Sequence, residues 1–122
     1  MKLHASVPGA ANTFTGYGEG YVLVNGRRHQ SSLIVMADQV LAWDAVSFES
    51  LTEKNLDDLK DLGAEIVLLG TGPTQRFPHP RLTAALARAG IGVEVMDVQA
   101  ACRTYNILVA EERKVAAALL LE

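Results

Sequence analysis

Apolar positions along the chain fall into short blocks separated by glycine, proline and asparagine, and the period changes from block to block. Tyr21 to Val24, YVLV, is followed by Asn25-Gly26 and then by RRHQSSLIVM. Asn-Gly supplies the two positive-φ residues of a type I′ turn, so this stretch predicts an N-terminal β-hairpin. Val40 to Trp43 predicts a further short strand. Ser50 and Glu53 have capping-box spacing, Leu56 and Leu59 share one helical face, and Gly63 suits a C′ position, which together predict a helix over 51–62.

Ile66 to Gly70, IVLLG, is a continuous apolar run, as expected of a strand covered on both faces in a parallel sheet. Pro80 then suits a first helical turn, and Leu82, Ala85, Leu86 and Ala89 form a stripe that Gly90 ends. Ile91, Val93 and Val95 alternate with Gly92 and Glu94, which predicts a strand near a sheet edge and completes a βαβ unit. Asp97 is placed to cap a helix in which Val98, Ala101, Cys102, Tyr105, Leu108 and Val109 recur at three- and four-residue steps. The run KVAAALLL fits two states: alanine favours helix, and the short all-apolar run fits a central strand.

Composition narrows the class. A chain of 122 residues, 49% hydrophobic and 20% charged, is expected to fold as a single domain over 1–122, with 1–15 its loosely ordered part. The net charge of −3 is spread without a lysine or arginine run, which argues against nucleic acid as a partner. One cysteine leaves no internal disulfide or multi-cysteine zinc site, and His4, His29 and His79 lack metal-ligand spacing, so neither metal nor cofactor is expected. No window approaches a membrane span of roughly 18 apolar residues, and the first twenty residues read as neither secretion signal nor presequence. The expected compartment is the cytoplasm. Leu121-Glu122 reads like a cloning remnant and carries no weight.

Four stretches together resemble the family called domain of unknown function 498: GYGEGYVLVNGRRH, LGTGPTQRFP, LARAGIGVEVM and MDVQAACRTYNILVAEERKVAAALL. That family is related to the respiratory complex I assembly factor of mitochondria and to the adipogenesis-associated human domain protein. The resemblance runs from about Gly16 onward and is most specific over Ala101 to Asn106. It implies a three-layer α/β fold with a central mixed sheet whose last strand is antiparallel to its neighbours, and so makes KVAAALLL a strand. Two positions depart from the family's usual pattern. Met96-Asp97-Val98 stands where Met-Asp-Thr is usual, and Glu111-Glu112-Arg113 stands where Glu-Gly-Arg is usual, which removes a glycine that ends a helix easily.

The candidate chemistry lies around Gly70-Thr71-Gly72, which leaves a buried strand where open α/β sheets favour ligands. Its amides suit an anion nest for a small anion, with Arg76, Asp97 and Arg103 at the same crevice. The segment lacks the Gly-Lys-Ser/Thr ending of a Walker loop, and a plain strand exit is the stronger reading. Asp97 reads foremost as a helix cap, and Cys102 as a buried thiol rather than a nucleophile. Gly16 to Gly20 precedes a strand instead of following one, so it reads as a bend and not a dinucleotide fingerprint. Trp43, Phe48 and Asn106 are candidates for a partner-binding patch, with core or rim packing the simpler account of the two aromatics. Three functions are ranked on these grounds. A non-enzymatic interaction or complex-assembly helper with a protein partner leads by family analogy, then a small-ligand or anion binder, then an enzyme built on Cys102 or Asp97.

Overall fold

The computed structural model describes residues 10–121. Eight strands and three helices follow in the order β1 (Phe14–Gly18), β2 (Tyr21–Val24), β3 (Arg27–His29), β4 (Leu33–Met36), β5 (Gln39–Ala42), α1 (Glu53–Asp57), β6 (Ile66–Gly70), α2 (Pro80–Arg88), β7 (Gly92–Met96), α3 (Val98–Ala110) and β8 (Val115–Leu119). A five-stranded mixed sheet runs β5-β4-β8-β6-β7, and β1-β2-β3 form a small antiparallel sheet of their own.

The layering follows from two crossovers. β6-α2-β7 and β7-α3-β8 are both strand–helix–strand units with parallel strands, and such units are right-handed. The first steps outward from β6 to β7 and the second steps back across β6 to β8, so α2 and α3 lie on opposite faces. On one face Val67, Leu69, Ala116, Ala118 and Leu120 pack with Leu56 and Leu59 of the α1 segment and Leu82 and Leu86 of α2. On the other, Leu68, Val115, Ala117 and Leu119 pack with Ala101, Cys102 and Tyr105 of α3 and with Phe14, Val22 and Val24 of the small sheet. The architecture is the expected three-layer α/β fold, KVAAALLL contains a strand, and β7 lies at an edge.

Several expectations change in detail. β8 is antiparallel to β4 but parallel to β6, not antiparallel to both neighbours. The helical crossover is the cause, because it returns the chain to the end of the sheet where β6 began. The Asn25-Gly26 turn is type I′, with φ of 52° and 81°, but its second arm ends at His29 and Leu33–Met36 joins the large sheet. Gly16 to Gly18 belong to β1, and the bend is Glu19-Gly20 alone. The 51–62 helix divides into α1 and a 3₁₀ turn, Asp58–Leu62. Its capping box is Thr52 with Asn55, not Ser50 with Glu53; Ser50 instead closes a local turn with Ser47. Of the segment expected to be loose, Phe14 is buried and Asn12 donates through Nδ2 to Met36 O; His4 and the rest of 1–9, like Glu122, lie outside the described residues.

Helix α3 ends in a Schellman arrangement: Glu112 N–H donates to Val109 O and Arg113 N–H to Leu108 O, both at 3.0 Å. The residue that must turn left-handed is Glu112, at φ 64°, where the resembled family usually carries glycine. A side chain in that conformation costs roughly 1–2 kcal/mol, offset in part by the extra unfolded-state entropy of glycine. Glu112→Gly should therefore raise the unfolding free energy by about 0.5–1 kcal/mol in chemical denaturation. No change, or a loss, would contradict this account of the turn.

Candidate functional site

At the carboxyl end of β6 the main chain bonds to its neighbours. Gly70 O accepts from Leu120 N–H, Thr71 N–H donates to Met96 O, and Gly72 O accepts from Val98 N–H, each at 2.9 Å. A Cβ on Gly70 would lie 2.7 Å from Leu119 Cδ2 and 3.4 Å from Ala101 Cβ, so any larger residue here would push the Leu119 side chain aside. Gly72 turns the chain at φ 94°. Between them Thr71 is wholly buried, and its Oγ1 donates to Thr74 O at 2.7 Å while accepting from Arg76 N–H at 3.0 Å. One hydroxyl thus closes the loop on itself, as threonine does in a local side-chain turn.

Beside this loop lies a cavity of about 460 Å³. The Glu19-Gly20 bend, Gly72-Pro73, the start of α3 at Asp97, Val98 and Gln99, and Leu120-Leu121 line it. Asp97 does cap α3, its Oδ1 accepting from Ala100 N–H at 2.9 Å. Two of the amides that an anion would need at this helix start are therefore already met by protein oxygens, Gly72 O and Asp97 Oδ1. Among the described residues the ionisable lining is Glu19 and Asp97, with no basic side chain.

Neither arginine turns toward this cavity. Arg76 pairs with Glu49 at 2.6 Å and lies with its guanidinium carbon 4.5 Å from the Phe48 ring centroid. That hydrogen bond holds the Glu49 carboxyl below its ordinary range. Arg103 reaches the Tyr17 hydroxyl at 3.1 Å. The structure thus gathers Gly70, Thr71, Gly72 and Asp97 but sends Arg76 and Arg103 to separate partners, and the geometry gives the small anion no support.

The residues considered for a partner patch are held inside the fold. Trp43 is buried, with Nε1 donating to Asn55 O at 3.2 Å. Asn106 imitates a strand residue, accepting from Phe14 N–H at 2.9 Å and donating to Phe14 O at 2.8 Å. Phe48 is half-buried under Arg76. Three apolar side chains that periodicity did not single out face solvent instead: Val46 at 74%, Phe77 at 71% and Ile107 at 59% exposure. A usable signal existed in the sequence, since Phe77 follows Arg76 and precedes Pro78 in a proline-rich stretch that offers no apolar stripe to absorb a ring.

Cys102 is 1% exposed, and burial pushes its thiol from an ordinary 9.0 up to about 12, with Arg103 opposing only in part. His79 accepts at Nδ1 from Arg81 N–H, and His29 belongs to β3, paired with Val22. Among the described residues no group of three or more His, Cys, Asp or Glu is placed to hold a metal ion, and no helix is long and apolar enough to cross a membrane.

Comparison with known proteins places these features in a family. Residues 14–120 match the family described as Protein of unknown function (DUF498/DUF598), and the chain belongs to it. It is 34% identical over 109 residues to the 13 kDa major membrane protein of Francisella tularensis, across 88% of this chain and 89% of that one. It is 33% identical over 106 residues to the bovine NADH dehydrogenase [ubiquinone] 1 alpha subcomplex assembly factor 3. That match takes in 85% of this chain, which spans 58% of the assembly factor's length. A crystal structure of a Bordetella parapertussis protein superposes with a TM-score of 0.89 at 39% identity, covering 95% of this chain and all of that one.

Because the thiol is buried in its protonated form, Cys102 should resist a thiol reagent at pH 8 in the native protein and react once the chain is denatured. The linkage has a definite sign. In the unfolded chain the thiol ionises above 9.0, in the folded one only near 12, so this contribution to stability is full below pH 9 and lost as pH rises toward 12. Stoichiometric native labelling at pH 8 would contradict the assignment.

Proposed function

We propose that this chain is a non-enzymatic partner in the building of a larger protein complex. The observation that carries the reading is its relation, along 85% of its length, to a protein named as an assembly factor. The site's chemistry supports it. Cys102 sits in the α3 core with its proton held, which suits packing and not nucleophilic attack. Asp97 spends one carboxylate oxygen on capping α3, accepting from Ala100 N–H at 2.9 Å, which suits a structural role.

A helper of this kind works through surface complementarity, and the described fold is suited to it: a two-sided core fixes the sheet, and the loops beyond its strand ends carry two of the exposed apolar side chains, Val46 and Phe77. Isolation of the tagged full-length protein at its native level, under mild conditions and with size measurement, tests the reading. The expected result is elution well above the chain's own 13.1 kDa together with another protein at near-equal yield. Repeated recovery of the chain alone at its own mass would overturn it.

A further inference from the structure

We propose that the outer edge of β5 is where this chain docks on its partner, which adds one extended segment there as a sixth strand of the large sheet. That segment carries two apolar residues facing Val40 and Ala42 and a lysine or arginine at each end, facing Asp38 and Asp44. The inference rests on the partner-binding reading above and names the surface that serves it.

Two sheets present four edges, and three of them are guarded. At β1, Phe14 spends its N–H and C=O on Asn106. β3 is Arg27-Arg28-His29, and a charged edge turns a foreign strand away. At β7, Gln75 Nε2 donates to Val95 O at 2.9 Å, and Glu94 holds an exposed charge. β5, Gln39–Ala42, carries no charge and pairs with β4 alone.

The phase of the β4–β5 ladder shows what this edge offers. Trp43 N–H donates to Ser32 O at 3.1 Å, in register with Leu41 opposite Ile34 and Gln39 opposite Met36. An antiparallel ladder turns alternate residues toward the neighbouring strand, so the N–H and C=O groups of Val40 and Ala42 point outward. Among the described residues nothing bonds to them. Their side chains stand opposite Val35 and Leu33, which are buried, whereas Val40 is 36% exposed and Ala42 is exposed too. The apolar face of the sheet therefore runs one strand beyond its cover. An added strand answers both needs, since its main chain meets the outward groups and its side chains cover that face.

Charge selects the occupant. Asp38 lies in the turn before β5 and Asp44 two residues past its end, both exposed. Among the described residues neither forms an ion pair: Asp44 Oδ1 accepts from Asn55 Nδ2, and nearby Lys54 is bonded to Asp58 at 3.0 Å. A second copy is disfavoured by the same residues. Pairing Val40 with the other copy's Ala42 sets Asp38 opposite the other copy's Asp44 at both ends, and like charges directly opposed across a ladder destabilise it. A partner segment with a basic residue at each end turns both repulsions into attractions.

The probe is an acetylated and amidated heptapeptide, Lys-Thr-Val-Thr-Val-Thr-Lys, which reads the same in both directions and so tests both strand orientations. Titrated into the ¹⁵N-labelled full chain, it should saturate below about 1 mM and shift the amides of Val40 and Ala42. The same peptide ending in glutamate should bind at least about tenfold more weakly, and N-methylation of both valines should abolish binding. Ala42→Pro removes an N–H that points away from the fold, so it should end binding without lowering Tm. No shift at Val40 and Ala42, equal binding of the glutamate peptide, or undiminished binding of the N-methylated one would each overturn the proposal. A dimer in sedimentation equilibrium that Ala42→Pro dissociates would make the edge a self-contact and overturn it as well. In the tagged full-length chain, Ala42→Pro should also lose the co-isolated protein. Retention at the unsubstituted yield would overturn the edge and leave the assembly reading intact, whereas no partner on the unsubstituted chain would overturn both.

Discussion

β8 is held from both sides, antiparallel by β4 and parallel by β6, and among the described residues no other strand pairing joins the β4–β5 hairpin to the β6–β7 pair. Every residue of the strand is buried. Ala116 and Ala118 face the α1–α2 core while Val115, Ala117 and Leu119 face α3, so one strand closes both cores at once. Its three alanines keep it thin, allowing both neighbouring layers to approach. A polar or bulkier substitution at Ala116 or Ala118 would disturb the α1–α2 core, and one at Ala117 the α3 core. The close approach continues at the strand's end, where a methyl group on Gly70 would press against Leu119 Cδ2.

What the loops can do follows from this frame. With β6, β7 and β8 parallel, three strands end on the same side, and their terminal carbonyls and amides bond to one another and to the start of α3. Much of the main chain at the usual ligand-binding end of the sheet is therefore bonded within the protein, beside a cavity whose described ionisable lining is acidic. Thr71, Gln75 and Arg76 are spent on stiffening the loop that leaves β6, and Arg103 and Asn106 on joining α3 to the small sheet. The polar residues of this end serve position, and the apolar ones at its rim face outward.

The sequence made most of this frame legible because burial and turn chemistry leave local marks. IVLLG shows no alternation and is buried on both faces; Asn25-Gly26 and Gly90 sit where positive φ is needed; Asp97 caps the helix it precedes. The sheet partner of each strand was less visible. The direction of β8 depends on the crossover through α3, and the departure of Leu33–Met36 from the hairpin depends on its pairing with β8. The candidate site was half legible. Glycines announce their backbone, but the direction of a long arginine is set by whichever carboxylate, ring or hydroxyl the fold brings near, and Glu49, Phe48 and Tyr17 lie 27, 28 and 86 residues from Arg76 and Arg103 in the chain. For Asn106 the same holds, since its partner Phe14 is 92 residues away.

The central claim is that the fold fixes the β6–α2 loop before any partner arrives. Backbone ¹⁵N order parameters of the isolated protein test it most directly, read at Gln75, Arg76 and Phe77 against Val67 and Leu68 of β6. The account predicts loop values near those of the strand, about 0.85. Values below about 0.6 at Arg76 and Phe77, with β6 still rigid, would contradict it.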